Sequence, residues 1–151
     1  MNKIILLPFL LNIRGLWEII NNTGIQKGFL LELSSIEDFK DSLEVNSLGP
    51  ARVAKAFLPQ LRQSRGRVIN MSSVIGRLAL PMTGPDSMSK FACVGCSESL
   101  LYELDIWGVQ VISIEPVIDE SVLNTFSRID SEKFVEVAQL RDQVFLKMIY
   151  Y

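Results

Sequence analysis

The 151-residue chain contains no histidine. That absence removes Ser–His and Cys–His nucleophilic catalysis together with the commonest zinc ligand, and no metal site is expected. Cysteine is scarce: Cys93 and Cys96, spaced C-x-x-C, are the whole complement. With no second pair and no histidine beside them, they read as two small buried residues one turn apart on a helix, not as a redox couple or half a metal site. They fit an intracellular, reducing compartment. A surplus of one charge is also lacking, with 15 Lys and Arg against 17 Asp and Glu. No basic stripe is visible, so nucleic acid is not an expected partner. Long apolar runs are missing as well. Ile4 to Leu11 is too short to span a bilayer, which takes about 20 apolar residues. Lys3 before it resembles the start of a secretory signal, but Arg14 and Trp17 follow where a small-residue cleavage site belongs. Two readings of this segment stay open: membrane association, cytoplasmic, endoplasmic reticulum or mitochondrial, or a replaced or truncated start in front of a fold.

What is present suits a globular protein. Hydrophobic residues make up 48% and charged residues 21% of the chain, and the length suffices for one domain with a core, here residues 1–151. Leu16 to Ile20 is a short apolar run stopped by the turn residues Asn21-Asn22-Thr23-Gly24, which predicts a buried strand. Ser35 with Asp38 three residues on makes a near capping box. Behind it Ile36, Phe39, Leu43, Val53, Phe57 and Leu61 recur at helical spacing, and Gly49-Pro50 and Pro59 predict a bend or break. Val68 to Met71 predicts a second strand. A helix is expected from about Ser87 to Ile106, with Phe91, Val94, Leu100, Leu101 and Leu104 facing the core and Gly108 ending it. Val109 to Ile114 predicts a third strand. Beyond Asp119, Phe134, Val137, Leu140 and Val144 sit at helical spacing. Strands alternating with helices predict an α/β fold with parallel pairing and right-handed crossovers.

The motif order is more specific. Asn21-Asn22-Thr23-Gly24 is followed by GRVINMSSVIGR from Gly66, and Ser73 stands thirteen residues before Asp86 and seventeen before Lys90. Together with FLPQLR (Phe57 to Arg62), these residues resemble the short-chain dehydrogenase/reductase family, in wording its retinol, 17β-hydroxysteroid and 3-hydroxybutyrate dehydrogenase branch. The resemblance covers roughly residues 15–118. It implies the C-terminal half of a Rossmann-like, doubly wound parallel sheet. It also implies an oxidoreductase that uses NAD or NADP on a hydroxyl or carbonyl of a steroid- or retinoid-like lipid. By motif position Ser73, Lys90 and Asn46 match the family's catalytic Ser, Lys and Asn. Asn22 and Gly24 match the motif that props the cofactor wall, and Pro116 matches the Pro of a Pro-Gly pair near the nicotinamide, with Val117 in place of the Gly.

Two departures stand out. The family's catalytic tyrosine is replaced by Asp86, and no glycine-rich phosphate turn precedes Leu16. A carboxyl titrates near 4 and a phenol near 10, so Asp86 is ill matched to shedding and regaining a proton at neutral pH. Four residues before Lys90, it is expected to form a helical ion pair with that lysine. The strand at 16–20 is also expected to leave one edge unpaired, unless residues 3–12 add a strand there. These losses make weak or absent catalysis the expectation. Alternatives are an inactive relative that pairs with a full-length dehydrogenase through the helices at about 36–63 and 87–106, and a fragment without function. The residues that choose between NAD and NADP, and those that choose substrate, are not legible here.

Overall fold

The computed structural model describes residues 15–117. Three short strands, β1 (Glu18–Asn21), β2 (Arg67–Met71) and β3 (Gln110–Ile114), pair in parallel in the order β1-β2-β3. The register sets Ile19 beside Val68 and Val68 beside Val111. Parallel neighbours cannot be joined by a tight turn, so each connection is a long crossover. The first runs through α1 (Ile36–Leu43), a π-helical turn (Glu44–Leu48) and α2 (Gly49–Ser64). The second runs through a 3₁₀ turn (Val74–Gly76) and α3 (Gly84–Asp105).

Ser35 caps α1 with a full capping box. Its hydroxyl accepts from Asp38 N–H, and the Asp38 carboxylate accepts from Ser35 N–H. The bend or break expected at Gly49-Pro50 takes the form of a widened helical turn, and the chain stays helical through it. Pro50 has no N–H to offer the carbonyl of Asn46, so the helix widens by one residue, and Gly49 N–H reaches Glu44 O instead. Pro59 is absorbed inside α2. α2 ends at Arg65 in the left-handed region, and Gly66 follows where the backbone leading into β1 passes so close that a Cβ would strike the Leu16 and Trp17 carbonyl oxygens.

The apolar centre is a cluster of Ile19, Val68, Val109 and Val111 from the strand layer with Leu61 of α2 and Leu104 of α3. Val53, Phe57, Leu58, Leu100 and Leu101 pack around it. Alternate residues of a strand point to opposite faces, and the helices lie on the Ile19/Val68 face. Ile20 on the other face is 57% exposed. On that face exposure falls across the sheet, since Ile69 beside Ile20 is half-buried and Ile112 beside Ile69 is buried; among the described residues the far edge of β1 has no strand beside it.

Some expected contacts shift. α3 begins at Gly84 rather than near Ser87. Phe91 is exposed, because Cys93, Val94 and Ser97 occupy the inward stripe. Ile36 is exposed on α1. The cysteines are free, but only Cys93 is buried; Cys96 is exposed, one helical turn on and turned toward α2. Gly108, with φ +65°, ends the helical segment as expected. The apolar pattern at 134–144 and the replacement strand at 3–12 lie outside the described residues.

Candidate functional site

Parallel strands all end on the same side, and that side collects the motif residues. The loop after β1 carries Asn22 and Gly24, the loop after β2 carries Ser72 and Ser73, and the segment after β3 carries Pro116. α3 crosses beneath them with Asp86 and Lys90 in its first two turns. Main-chain bonds lock the ends of β2 and β3 together: Ser72 N–H donates to Ile114 O at 2.8 Å and Val74 N–H to Pro116 O at 3.0 Å. The 3₁₀ turn can lie against α3 only because residue 76 is glycine. A Cβ there would stand 2.9 Å from the Lys90 carbonyl oxygen and 2.9 Å from Ser72 Oγ.

Asn46 is the hub. The widened turn directs its buried side chain at the loop after β1 and at α3 together. Asn46 Oδ1 accepts from Ile25 N–H at 2.8 Å. Nδ2 donates to Ile25 O at 2.8 Å and to Ser89 Oγ at 2.8 Å, with Asp86 Oδ1 at 3.2 Å. Two amide hydrogens facing three acceptors make the Asp86 contact the weakest of the set. Ser89 donates onward to Asp86 O at 2.7 Å, and Ser47 Oγ donates to Ser89 O at 2.6 Å. A π-helical turn at such a position is the usual mark of a functional bend.

Asp86 is 8% exposed, and it does not form the ion pair with Lys90 that its spacing suggested. The Lys90 ammonium instead donates to Met71 O and Ser72 O, each at 3.4 Å, at the end of β2. The physical reason is the packing of α3. Position 86 faces Asn46, whereas the lysine stem carries its charge toward the strand ends. Burial pushes the Asp86 carboxyl above the ordinary value of 3.8, and the nearby Lys90 charge and the Ser89 hydroxyl pull it back only in part.

Gly24 closes the group. A Cβ built there would be 3.5 Å from Asn46 Oδ1 and 3.6 Å from Lys90 Nζ, so the glycine loop, the Asn46 amide and the lysine head share one small opening. The sequence motifs Gly24, Asn46, Asp86 and Lys90 thus come together. Ser73 stands apart from them: its Oγ accepts from Ile75 N–H at 3.4 Å and caps the 3₁₀ turn. Asn22 is exposed on the loop. Pro116 reaches the site region through its carbonyl.

Sequence reasoning missed Ser47 and Ser89, which complete the Asn46 cluster. It also missed a second buried chain in which Asn21 Nδ2 donates to Asn70 Oδ1 at 2.7 Å and Asn70 Nδ2 to Ser97 Oγ at 2.8 Å. The available sign was Asn70 at an inward position of an otherwise apolar strand, where a polar side chain needs a partner. Behind the site, Arg77 holds Glu115 through two bonds of 3.0 and 3.1 Å and also holds Glu98, tying the 3₁₀ turn to the end of β3.

The profile of the short chain dehydrogenase family matches residues 10–131. The chain is 42% identical over 103 residues to D-beta-hydroxybutyrate dehydrogenase, mitochondrial, of Rattus norvegicus, covering 68% of this chain and 30% of that protein. It is 41% identical over 105 residues to human 17-beta-hydroxysteroid dehydrogenase type 2, with shares of 68% and 27%. It is 43% identical over 104 residues to human retinol dehydrogenase 16, with shares of 68% and 32%. The matched region is thus about a third or less of these relatives' own length. Among solved structures, a short-chain dehydrogenase from Streptomyces avermitilis has the same fold, with a TM-score of 0.71, 23% identity, and coverage of 93% of this chain and 62% of that one. With a parallel sheet, helical crossovers and these matches in agreement, the chain belongs to the short-chain dehydrogenase family.

Proposed function

We propose that this single unit, residues 1–151, is an oxidoreductase by descent, built around a nicotinamide-dependent site for a hydroxyl or carbonyl group on a lipid-like small molecule. The observation that carries the reading is the meeting of Gly24, Asn46 and Lys90 at the C-terminal ends of the strands. Crevices at that edge of open α/β sheets are where such folds bind ligands. The named substrates of the relatives, hydroxybutyrate, a 17-beta-hydroxysteroid and retinol, share an alcohol on a small carbon skeleton.

The residues present fit the nicotinamide end of NAD or NADP. Gly24 leaves space beside Lys90, and two of the three ammonium hydrogens are engaged, so one is left for a ribose hydroxyl. Bound there, the nicotinamide would take or give the hydride. Lys90 would orient it, Asn46 would fix the loop at Ile25 that walls it, and Pro116 would border it. Ser73 would hold the substrate oxygen after its hydroxyl leaves the Ile75 amide. Asp86 is the weak link. Ionised, it sets a negative charge where an alkoxide must develop; protonated, it cannot take the hydroxyl proton.

Turnover of alcohols and ketones with NAD(H) and NADP(H) tests this. The chain should be slow and the Asp86→Tyr variant faster, by about 10²- to 10⁴-fold, the usual weight of one acid–base group. No turnover in either, with no rise in urea midpoint under saturating dinucleotide, overturns the reading.

A second reading, association without catalysis, is favoured by one observation. Between α2 and α3 runs a mostly apolar groove of about 320 Å³ lined by Ala51, Ala54, Leu58, Cys96 and Leu100. Both helices are those by which the family resemblance implies pairing, with a second copy or a full-length dehydrogenase. A chain that sediments as a monomer at micromolar concentration, and fails to co-purify with such an enzyme, sinks this reading.

A further inference from the structure

Asp86 is the least satisfied group in the candidate site. It is 8% exposed, yet Lys90 does not pair with it, because that ammonium donates to Met71 O and Ser72 O at 3.4 Å each. Asn46 Nδ2 stands 3.2 Å from Asp86 Oδ1, but its two hydrogens have nearer acceptors in Ile25 O and Ser89 Oγ, both at 2.8 Å. The Ser89 hydroxyl gives its hydrogen to the main-chain oxygen of Asp86 at 2.7 Å. A carboxylate enclosed in this way costs free energy until a charged donor meets it. The opening beside it is where such a donor can enter. Gly24 bounds that opening, since a Cβ there would lie 3.5 Å from Asn46 Oδ1 and 3.6 Å from Lys90 Nζ. Among the described residues Lys90 is the other charged group there, and the two carbonyl oxygens hold its charge at the end of β2.

We propose, resting on the nicotinamide-dependent reading above, that this opening recognises a protonated nitrogen, so that its substrate class is an imine and the matching amine rather than a carbonyl and an alcohol. The sign of the charge decides between them. Reducing a carbonyl builds negative charge on oxygen, which a carboxylate at position 86 opposes. An iminium is positive before the reaction begins, and the same carboxylate holds it. Burial raises the Asp86 carboxyl above its ordinary value of 3.8, so it can carry a proton to the nitrogen of a neutral imine. Reduction then takes a hydride at the carbon of the C=N bond, drawn from the reduced nicotinamide, which is oxidised as the π pair moves to nitrogen. The neutral amine takes a proton from water and departs as ammonium, and water returns a proton to the carboxylate. The sequence of steps needs no phenol, the group that position 86 lacks.

The test uses the full 1–151 chain with tetrahydroisoquinoline, a ring amine charged at neutral pH as lysine is, and with isochroman, the same skeleton with oxygen in place of the NH. The amine should raise the urea midpoint and isochroman should not. Amine affinity should fall about tenfold or more in Asp86→Asn, the weight of one charged hydrogen bond. Circular dichroism checks that this variant is folded. In carbon NMR of the parent chain the Asp86 carboxyl, identified by the signal missing from Asp86→Asn, should titrate at lower pH with the amine bound, because a cation favours the charged form. With NADH or NADPH the parent should reduce dihydroisoquinoline faster than tetralone, and Asp86→Tyr should reverse that order. Equal midpoint shifts with amine and isochroman overturn the proposal. So do an amine effect that survives in Asp86→Asn, an Asp86 titration that the amine leaves in place, and a parent chain that prefers the ketone. Ketone turnover by Asp86→Tyr without amine binding by the parent overturns the proposal alone and leaves the nicotinamide reading standing. Amine binding at Asp86 with no dinucleotide shift and no ketone turnover in Asp86→Tyr supports the nitrogen site and removes the nicotinamide reading.

Discussion

The two halves of α3 are buried to similar depth by opposite means. In its second half, Leu104 is buried and Leu100 and Leu101 pack against the core around Leu61 and Val68, where contact is non-directional and its strength grows with area. In its first half, Asp86, Ser87 and Ser89 are just as enclosed, and what holds them is a set of directed bonds that converge on Asn46 and Thr83. The apolar half tolerates any side chain of the right volume. The polar half demands a partner for every atom, because an unmatched buried group costs its full desolvation. One helix therefore divides its labour, with stability toward the C-terminus and geometry of the site toward the N-terminus.

Variants in each half put that contrast at risk. Leu104→Ala should have the largest effect, a loss of about 2–5 kcal/mol from the lost contact and the cavity left behind, read as a fall in urea midpoint. An effect no larger than that of a surface change would mean that the α3–sheet core is not the seat of stability. Asn46→Ala comes next, at about 1–3 kcal/mol, since it strips the Ile25 amide of its acceptor and Ser89 of its donor. Its signature is faster hydrogen exchange at Ile25 N–H with the strand amides still protected.

Asp86→Asn should act in the other direction. A carboxyl whose folded value is raised binds its proton more tightly in the folded state, so the native form loses stability as pH climbs from about 3.8 through the raised value. The asparagine keeps an acceptor for Asn46 and carries no charge to bury. It should therefore unfold at higher urea than the parent at neutral pH, and the gain should vanish as pH falls below that window. A gain that persists in acid would refute burial as the cause. Arg52→Ala should do least, moving the urea midpoint no further than a neutral surface change, because its pair with Glu44 is half-exposed on both sides.

The elements were mostly legible in the sequence because periodicity and punctuation report local backbone needs. Ser35 with Asp38 announced a helix start, Gly108 a helix end, and the runs at 68–71 and 109–114 became strands. The π-helical turn at Asn46 was not legible. Gly49-Pro50 signals only that a helical bond is missing, and a long helix can absorb that loss by widening as readily as by breaking. Asp86 four residues before Lys90 suggested a helical ion pair for a similar reason. Spacing gives the helix face but not its depth, and here the face is turned inward against Asn46. Ser47 and Ser89 were invisible because a helical serine is as often solvated as buried. Gly24, Asn46, Asp86 and Lys90 could be chosen in advance because a family motif order relates residues that no local rule connects.

The parallel pairing has a consequence for how the chain must assemble. Glu18 of β1 meets Arg67 of β2, 49 residues later in sequence, and β2 waits for β3 across a second crossover of comparable length. No hairpin can form early, and the loop entropy of each crossover is spent before any strand contact repays it. During synthesis β1 emerges long before its neighbour exists. Helices form from local contacts alone, and the capped helical run from Ile36 to Ser64 precedes both β2 and β3, so it is the natural candidate to organise the chain while the sheet is still incomplete.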